Sequence, residues 1–301
     1  MENLIKLSEQ EKKEKLARAK ASFEKKRKIA LGHSSFEKIY KGSLNWRKNK
    51  SRDFSDLVTI VGDADFGFCE NVSLCRLEGV SGSVKFVYSK IQELPNLKSV
   101  GGDVDFKNSK IKEVPLLTTI GGNACFESCQ MQNLSSLKSI GGNAIFWHCP
   151  LRDLSNLESV GGGADFDNSA VQDLSSLKTI GLWANFNDSE VQNLSSLTSV
   201  GEFVHFEDSK VQEVPNLESV GREIFLSLGC VPKMDKLQKC GGIIFYLSNM
   251  QDYVIFTLQE FRKIEQKLRQ CETDDEIIKI RRDLNNFQRT ASKEKQKELI
   301  R

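Results

Sequence analysis

A leucine that recurs every twenty residues constrains the fold of this 301-residue chain more than any other feature of its sequence. It stands at ten consecutive repeat positions: Leu57, Leu77, Leu97, Leu117, Leu137, Leu157, Leu177, Leu197, Leu217 and Leu237. Nine residues after each leucine comes a phenylalanine in the first eight units, from Phe66 to Phe206, and then Leu226 and Tyr246. A fixed period of this length predicts a solenoid, in which each unit adds one turn to a stack.

The third unit shows how a turn is built. Val104 and Phe106 alternate with polar residues, which predicts a strand with one buried face. The Gly101-Gly102 pair before that strand predicts a tight turn that needs positive φ. The small side chain of Ser109 is expected to turn the chain inward and to satisfy backbone groups there. Because twenty residues leave no room for a full α-helix on the return side, we expect extended or 3₁₀ segments.

The order Val104-x-Phe106-x-x-Ser109-x-Ile111 resembles the leucine-rich repeat consensus, with Ser or Cys where Asn is usual. The units look most similar to the short bacterial repeats of secreted effectors of the YopM and IpaH kind, with some character of the receptor L domain. This resemblance covers about 200 of the 301 residues. It implies an α/β solenoid, a parallel-strand leucine-rich repeat with ten turns, and it suggests an effector. It does not identify a function, because repeat scaffolds host many.

The solenoid is expected over residues 53–254, after a basic helical region and N-terminal cap over residues 1–52. One helix is predicted over residues 8–31. A second short helix after it would begin with a capping box and carry apolar residues, from Ser34, Phe36, Glu37, Ile39 and Tyr40. Such a cap shields the open edge of the first turn.

Residues 255–301 are predicted to form a helical hairpin that covers the last turn. Thr257 with Glu260, and Thr273 with Glu276, match the capping box that begins a helix. Apolar residues follow each box at helical spacing: Leu258, Phe261, Ile264 and Leu268, then Ile277, Ile280, Leu284 and Phe287.

The net charge of +2 hides a strong asymmetry along the chain. Residues 1–52 carry 16 Lys and Arg against 6 Asp and Glu, whereas residues 53–248 carry 15 against 25. The run Lys25, Lys26, Arg27 and Lys28 is a candidate anion-binding patch for nucleic acid or an anionic surface, although such runs are common on solvated helices. The acidic repeats favour a basic partner and disfavour nucleic acid.

The outward side chains of the strands, at positions equivalent to 103, 105 and 107, carry most of this acidity. They include Asp63, Asp65, Asp103, Asp105, Glu127, Asp165, Asp167 and Glu207, against Lys85 and Lys107. Large rings join them at Trp147, Trp183, Phe203, Phe225 and Phe245. We predict a site for a protein partner centred on Trp147, Asp165, Asp167, Trp183, Phe203, His205 and Glu207. The alternatives are that the charges serve solubility, and that Phe225, Phe245 and Trp183 pack under the C-terminal hairpin.

Other chemistry finds little support in the sequence. Cys125, Cys129, His148 and Cys149 suggest zinc, but Cys125 is expected to face the side opposite to Cys129 and Cys149, so we expect no metal site. The segment from Cys271 to Asp274 has the wrong spacing for the C-x-D nucleophile of the IpaH ubiquitin ligases. We find no Ser-His-Asp order, phosphate loop or dinucleotide fingerprint, and we expect neither an enzyme nor a cofactor.

The N-terminal residues lack the apolar stretch of a signal peptide, and no apolar run is long enough to span a membrane. We therefore expect a cytoplasmic protein with its eight cysteines reduced, exported only by a non-classical route if it is an effector. The sequence favours a non-enzymatic scaffold that binds a protein through its strand face. The alternative is a nucleic-acid or anionic-surface tether that binds through helix 8–31 and uses the solenoid as a spacer.

Overall fold

The computed structural model describes residues 39–48, 51–227, 230–246, 253–268, 270, 276, 278–280 and 282. The helix predicted over residues 8–31, and with it the basic run Lys25, Lys26, Arg27 and Lys28, lies outside the described residues. Within the described part of the chain, no helix is long and apolar enough to cross a membrane.

Each turn of the stack contributes one short strand to each of two parallel sheets. The ten-stranded sheet consists of Ile39–Lys41, Thr59–Val61, Gly79–Val80, Ser99–Val100, Thr119–Ile120, Ser139–Ile140, Ser159–Val160, Thr179–Ile180, Ser199–Val200 and Ser219–Val220. The twelve-stranded sheet consists of Leu44–Asn45, Ala64–Asp65, Val84–Lys85, Val104–Asp105, Ala124–Cys125, Ala144–Ile145, Ala164–Asp165, Ala184–Asn185, Val204–His205, Glu223–Ser227, Gly242–Tyr246 and Tyr253–Phe256. Ser51–Asp53 and Asn71–Ser73 pair separately.

The pairing register repeats the sequence period. Val104 pairs with Val84 and Ala124, its equivalents in the turns before and after, and the other turns up to Val220 follow the same rule. This confirms the predicted parallel-strand solenoid with a twenty-residue repeat. The described residues between 39 and 246 contain no helix, so the repeats are all-β and the expected α/β character is confined to the C-terminal segment.

The core is a set of columns that run through the stack. The phenylalanine column, from Phe66 to Phe206, is fully buried, and its ring centroids lie 4.8 to 5.6 Å apart. The leucines from Leu77 to Leu217 form a second buried column. Burying such a side chain stabilises the fold by about 1.5–3 kcal/mol, so every turn depends on its neighbours for most of its stability.

The two sheets meet at the Gly-Gly corner, and the reason for glycine there differs from the predicted one. A Cβ on Gly101 would lie 2.2 Å from the carbonyl oxygen of Ser81, far inside contact distance. The described glycines with positive φ are Gly42 and Gly62, so the expectation of positive φ at Gly101 and Gly102 is wrong. Close stacking of successive backbones is what excludes a side chain at this corner.

A second corner, which the sequence analysis did not predict, lies two residues after each phenylalanine of the column and two residues after Trp46 in the first turn. The residue there has φ between 48° and 63° in nine turns, at Lys48, Phe68, Tyr88, Asn108, Ser128, His148, Asn168, Asp188 and Asp208. Asn and Asp tolerate this left-handed conformation best, whereas it is strained for a ring such as Phe68 or Tyr88. The next residue, Ser109 in the third unit, then points inward and is buried. Its hydroxyl finds no partner within the described chain, so the expectation that it satisfies backbone groups is wrong for Ser109.

The N-terminal end of the described stack is a strand rather than a helix. Ile39–Lys41 pairs in parallel register with Thr59–Val61, so the prediction of a helix that holds Ile39 and Tyr40 is wrong. The physical reason is that residues 39–48 imitate the sheet-forming part of a repeat, with Leu44 buried at the position equivalent to Ala64.

The last turn is one residue short, and the register shifts with it. Phe225 pairs with Ile244, and Leu226 pairs with Phe245. Phe245 therefore points into the core, where its ring lies 5.9 Å from those of Phe256 and Phe261, and the prediction that it faces outward is wrong. Its packing against the C-terminal helix is confirmed.

An antiparallel strand and a helix then cover the end of the stack. Tyr253–Phe256 pairs with Gly242–Tyr246, and the helix Leu258–Leu268 follows. The predicted capping box is confirmed, because Thr257 N donates to Glu260 Oε2 at 2.8 Å and Glu260 N donates to Thr257 Oγ1 at 3.3 Å. Arg262 fixes the helix by donating hydrogen bonds to the carbonyl oxygens of Met234, Asp235 and Leu237.

The second helix of the predicted hairpin is described only in part. Glu276, residues 278–280 and Arg282 are helical, and Ile280 packs against the core. The predicted cap at Thr273 and the apolar residues Leu284 and Phe287 lie outside the described residues.

Candidate functional site

The outer surface of the twelve-stranded sheet brings most of the predicted site residues together. Asp165, Asn185 and His205 pair along the ladder as Cα partners, so they form one row with a spacing of about 4.8 Å. Asp167 and Glu207 lie two residues further along their turns, and Trp183 and Phe203 two residues before. We call this surface the candidate face; it comprises Asp165, Asp167, Trp183, Asn185, Asn187, Phe203, His205 and Glu207. Trp147 belongs to the preceding turn and is 37% exposed, with its ring 4.4 Å from that of His148.

Asp165 is the half-buried carboxylate of this face. Its Oδ1 accepts hydrogen bonds from the backbone N–H of Asp167 and from Asn185 Nδ2, each at 3.1 Å. Burial raises the pKa of the Asp165 carboxyl, and the neighbouring charge of Asp167 raises it further, whereas these two hydrogen bonds oppose the rise. The charged form of Asp165 is therefore held at a cost that a cation brought by a partner would offset.

Trp183 lies flat over a glycine that the sequence analysis did not single out. A Cβ on Gly163 would come within 2.2 Å of Trp183 Cε2, so the indole ring occupies the space that a side chain would fill. Other turns have Asp103, Asn123 or Asn143 at that position. The signal in the sequence is the third glycine of the run Gly161-Gly162-Gly163. Trp183 stands at the equivalent position of the next turn, so a glycine and a tryptophan follow each other on the same face.

His205 is held by a carboxylate and by two rings. Its Nδ1 lies 3.0 and 3.1 Å from the two carboxylate oxygens of Glu207, and its ring stacks on Phe225 with centroids 4.2 Å apart. Phe203 meets the same imidazole edge-on at 5.4 Å. Glu207 is 4% exposed, so the prediction that it displays its charge to a partner is wrong; it positions His205. Phe225 stacks between His205 and Tyr246 instead of following Phe245 into the core.

The N-terminal half of the acidic strip carries cations of its own at Arg47, Lys85 and Lys107, and two of its acids form ion pairs. Asp65 pairs with Arg47 at 3.4 Å, and Glu127 pairs with Lys107 at 2.7 Å, a hydrogen bond that raises the pKa of Lys107. The carboxylate of Asp103 accepts the backbone N–H of Asn123 at 2.7 Å and so joins two turns. These acids serve the stack itself, which is the solubility and folding role that the sequence analysis left open.

The C-terminal half of the strip differs because the outward positions of the turns around Asp165, Asn185 and His205 hold no Lys or Arg. Four carboxylates belong to three turns there, and none of them forms an ion pair with a residue that the structure describes: Asp165, Asp167, Asp188 and Asp208. Asp165 and Asp167 belong to the turn before that of Trp183. The structure thus separates one acidic and aromatic region from a strip that looked uniform in the sequence.

The residues that suggested zinc are divided between two sides of the chain. Cys129 and Cys149 point inward and are buried, whereas Cys125 lies in a strand with its side chain half-exposed. Among the described residues, no group of three His, Cys, Asp or Glu side chains could hold a metal ion.

A concavity also lies on the other sheet. It is a shallow trough of about 760 Å³ along the ten-stranded sheet, lined by Ser, Thr, Gly and the edges of buried Val and Ile. None of its lining residues has a titratable side chain, so its serine and threonine hydroxyls have no general acid or base beside them within the lining.

Comparison with protein-family models, with curated proteins and with solved structures finds no match. We therefore infer function from the fold, which is a parallel β-solenoid, and from the geometry of the candidate face.

Proposed function

We propose that this protein is a non-enzymatic scaffold that binds a protein partner with a basic surface through the candidate face. The observation that carries the proposal is that the outward positions of the turns around Asp165, Asn185 and His205 combine carboxylates and aromatic rings and hold no Lys or Arg. The rings supply apolar contact area of the kind that dominates binding energy at interfaces. The carboxylates favour a basic partner and exclude an acidic one.

The stack holds these side chains in place before binding. Asp165, Asn185 and His205 stand in strands that are fixed by parallel pairing and by the phenylalanine column beneath, and the other side chains of the candidate face lie two residues before or after them. His205 is further fixed by Glu207 and Phe225. A preorganised surface loses little conformational entropy on binding, and this supports recognition by a rigid face.

The resemblance to short bacterial leucine-rich repeats extends the proposal to an effector of this class, made in the cytoplasm and exported by a non-classical route. Export and binding are separate claims, and the candidate face supports only the second. Detection of the protein in the culture medium of its own cells, with a cytoplasmic marker absent from that medium, tests the first.

The binding proposal is tested by affinity capture with matched baits. The wild-type chain should retain its partner, and Trp183→Ala with Phe203→Ala should lose it. Asp165→Asn with Asp167→Asn should weaken it because the acceptors stay while the charge goes. Asp105→Asn is the matched control, because Asp105 accepts the i+2 backbone N–H as Asp165 does but lies three turns before Asp165, outside the candidate face. Equal capture by all baits would contradict the proposal.

The alternative function, an anionic-surface or nucleic-acid tether, is tested by a bait that lacks residues 1–32. It predicts that capture is lost on truncation and is weakened steeply by salt, because binding would release counterions from phosphates. Capture that survives truncation and disappears with the Trp183 and Phe203 substitutions would exclude the tether and support the candidate face.

A further inference from the structure

Two buried thiols face each other across neighbouring turns of the stack. Cys129 Sγ and Cys149 Sγ lie 3.5 Å apart, and the two residues are 4% and 2% exposed. They occupy equivalent positions twenty residues apart, where successive turns are spaced by about 4.8 Å. That spacing falls within the range that disulfide-bonded residues span, so rotation of the two side chains is enough to bring the sulfur atoms together.

We infer that Cys129 and Cys149 form a reversible intramolecular disulfide when the protein meets a hydroperoxide. The Cys129 thiolate attacks the peroxide, which breaks the O–O bond and leaves a sulfenic acid on Cys129 and an alcohol in solution. The sulfur of Cys149 then attacks that of Cys129, the S–O bond breaks, and the hydroxyl group leaves as water with the Cys149 proton. The two thiols lose two electrons in total, and the peroxide gains them.

The hydrogen bond between the two thiols assigns these roles. Either sulfur can donate in the neutral pair, but when Cys129 is ionised the S–H of Cys149 must donate to it, and this contact lowers the pKa of Cys129 against the opposing effect of burial. The same hydrogen bond, together with burial, raises the pKa of Cys149. Cys129 therefore carries more thiolate character and is the attacking sulfur, and Cys149 is the sulfur that resolves the intermediate.

At the equivalent positions of the turns next to the other buried cysteines of this column, the described chain has serine in place of a second cysteine. Cys69 stands before Ser89, and Cys230 lies 3.0 Å from the hydroxyl of Ser209. Cys125 lies in the adjacent strand with its side chain outward. The disulfide is thus specific to one pair, and this inference does not depend on the proposed binding function.

The experiment treats the full chain with hydrogen peroxide at low protein concentration and maps the cysteines by mass spectrometry. Cleavage after Glu127 and after Lys138 places Cys125, Cys129 and Cys149 on three different peptides. We expect a linked pair of peptides that contain Cys129 and Cys149, which dithiothreitol separates. The link closes a loop of about twenty residues and should raise the melting temperature by roughly 5–10 °C.

The control variants separate the disulfide from general oxidation. Cys149→Ser, which introduces the residue that Ser169 supplies one turn later, should lose both the linked peptides and the thermal shift. Cys69→Ser should behave as the wild-type chain. Exposed Cys75 reports the peroxide dose within each sample. The inference is overturned if Cys129 and Cys149 stay reduced at a dose that oxidises Cys75, or if Cys149→Ser shows the same thermal shift.

Discussion

The contact between Gly163 and Trp183 defines one end of the candidate face. A methyl group on Gly163 would overlap the indole ring at 2.2 Å, so the ring must tilt away from the strand if residue 163 becomes alanine. We expect Gly163→Ala to change the tryptophan fluorescence and to weaken partner binding about tenfold, which corresponds to a displaced interface anchor. The strands beneath should stay paired, because the ring lies on the surface of the stack.

A double-mutant cycle checks this interpretation. In a chain that already carries Trp183→Ala, the added methyl group has no ring to displace, so Gly163→Ala should then leave binding unchanged. An equal loss in both backgrounds would show that the glycine acts through the backbone and not through Trp183.

Asp165 links the candidate face to pH. Its pKa is raised in the folded protein, so the folded state favours the protonated form relative to the unfolded chain. The stability that this preference contributes is present below the unfolded pKa and is lost as pH rises through the folded pKa. Asp165→Asn should therefore leave the melting temperature at pH 7 unchanged or higher, although the same substitution weakens binding. A lower melting temperature for Asp165→Asn than for Asp105→Asn would contradict this prediction.

Binding should show the same titration from the other side. As pH falls from neutral, Asp165 takes up a proton before an ordinary aspartate does, and its attraction for a basic partner is lost. We expect affinity to fall by about fivefold, or roughly 1 kcal/mol, through this titration. The fall should disappear in Asp165→Asn, and calorimetry in buffers of different ionisation enthalpy should detect proton release on binding.

At the scale of the element, the Gly-Gly corner decides whether successive turns can approach each other. Gly101→Ala places a methyl group 2.2 Å from the carbonyl oxygen of Ser81, and the backbone must shift to admit it. We expect a loss of about 2 kcal/mol of unfolding free energy, as for other overpacked sites. Gly79→Ala is the control in the same sheet, because its nearest neighbour would be 3.7 Å away. Similar losses for the two variants, measured by denaturant unfolding, would contradict the account of this corner.

The C-terminal helix is held by a single arginine. Arg262 donates to the carbonyl oxygens of Met234, Asp235 and Leu237. It also donates to Glu265 Oε2 at 3.0 Å. Arg262→Ala should cost about 1–3 kcal/mol, since it removes the donor to these carbonyl oxygens. Hydrogen exchange should rise in Leu258–Leu268 and not in the middle turns. The neighbouring Lys263→Ala, whose side chain is exposed, should have little effect.

The sequence predicted the core columns and the register well because leucine and phenylalanine recur without interruption. It did not predict the ten-stranded sheet, since a strand such as Ser99–Val100 is too short to show alternation. It also did not predict the left-handed corner, where residues as different as Asn108, His148 and Phe68 occupy one position. The burial of Glu207 depends on its contact with His205, and the inward turn of Phe245 depends on one missing residue; neither is visible in a repeat pattern.

In the molecule as a whole, one acidic strip has two roles: folding in its N-terminal half and, as we propose, binding in its C-terminal half. The turns around Asp65, Asp103 and Glu127 use their acids to join and neutralise the stack. The turns around Asp165 and His205 leave carboxylates beside rings. This division places a binding surface toward the C-terminal end of the described solenoid, and it makes the N-terminal half of the same face an internal control.

The most direct measurement is site-specific photo-crosslinking from the two halves of the solenoid. A photoreactive phenylalanine analogue replaces Trp183 in one chain and the exposed Tyr88 in another, and both are irradiated in lysate of the same cells. We expect a protein adduct from position 183. Unlabelled wild-type chain should compete this adduct away, whereas the unlabelled variant with Asp165→Asn and Asp167→Asn should not. An adduct from position 88 alone, or one from position 183 that both competitors remove equally, would contradict it.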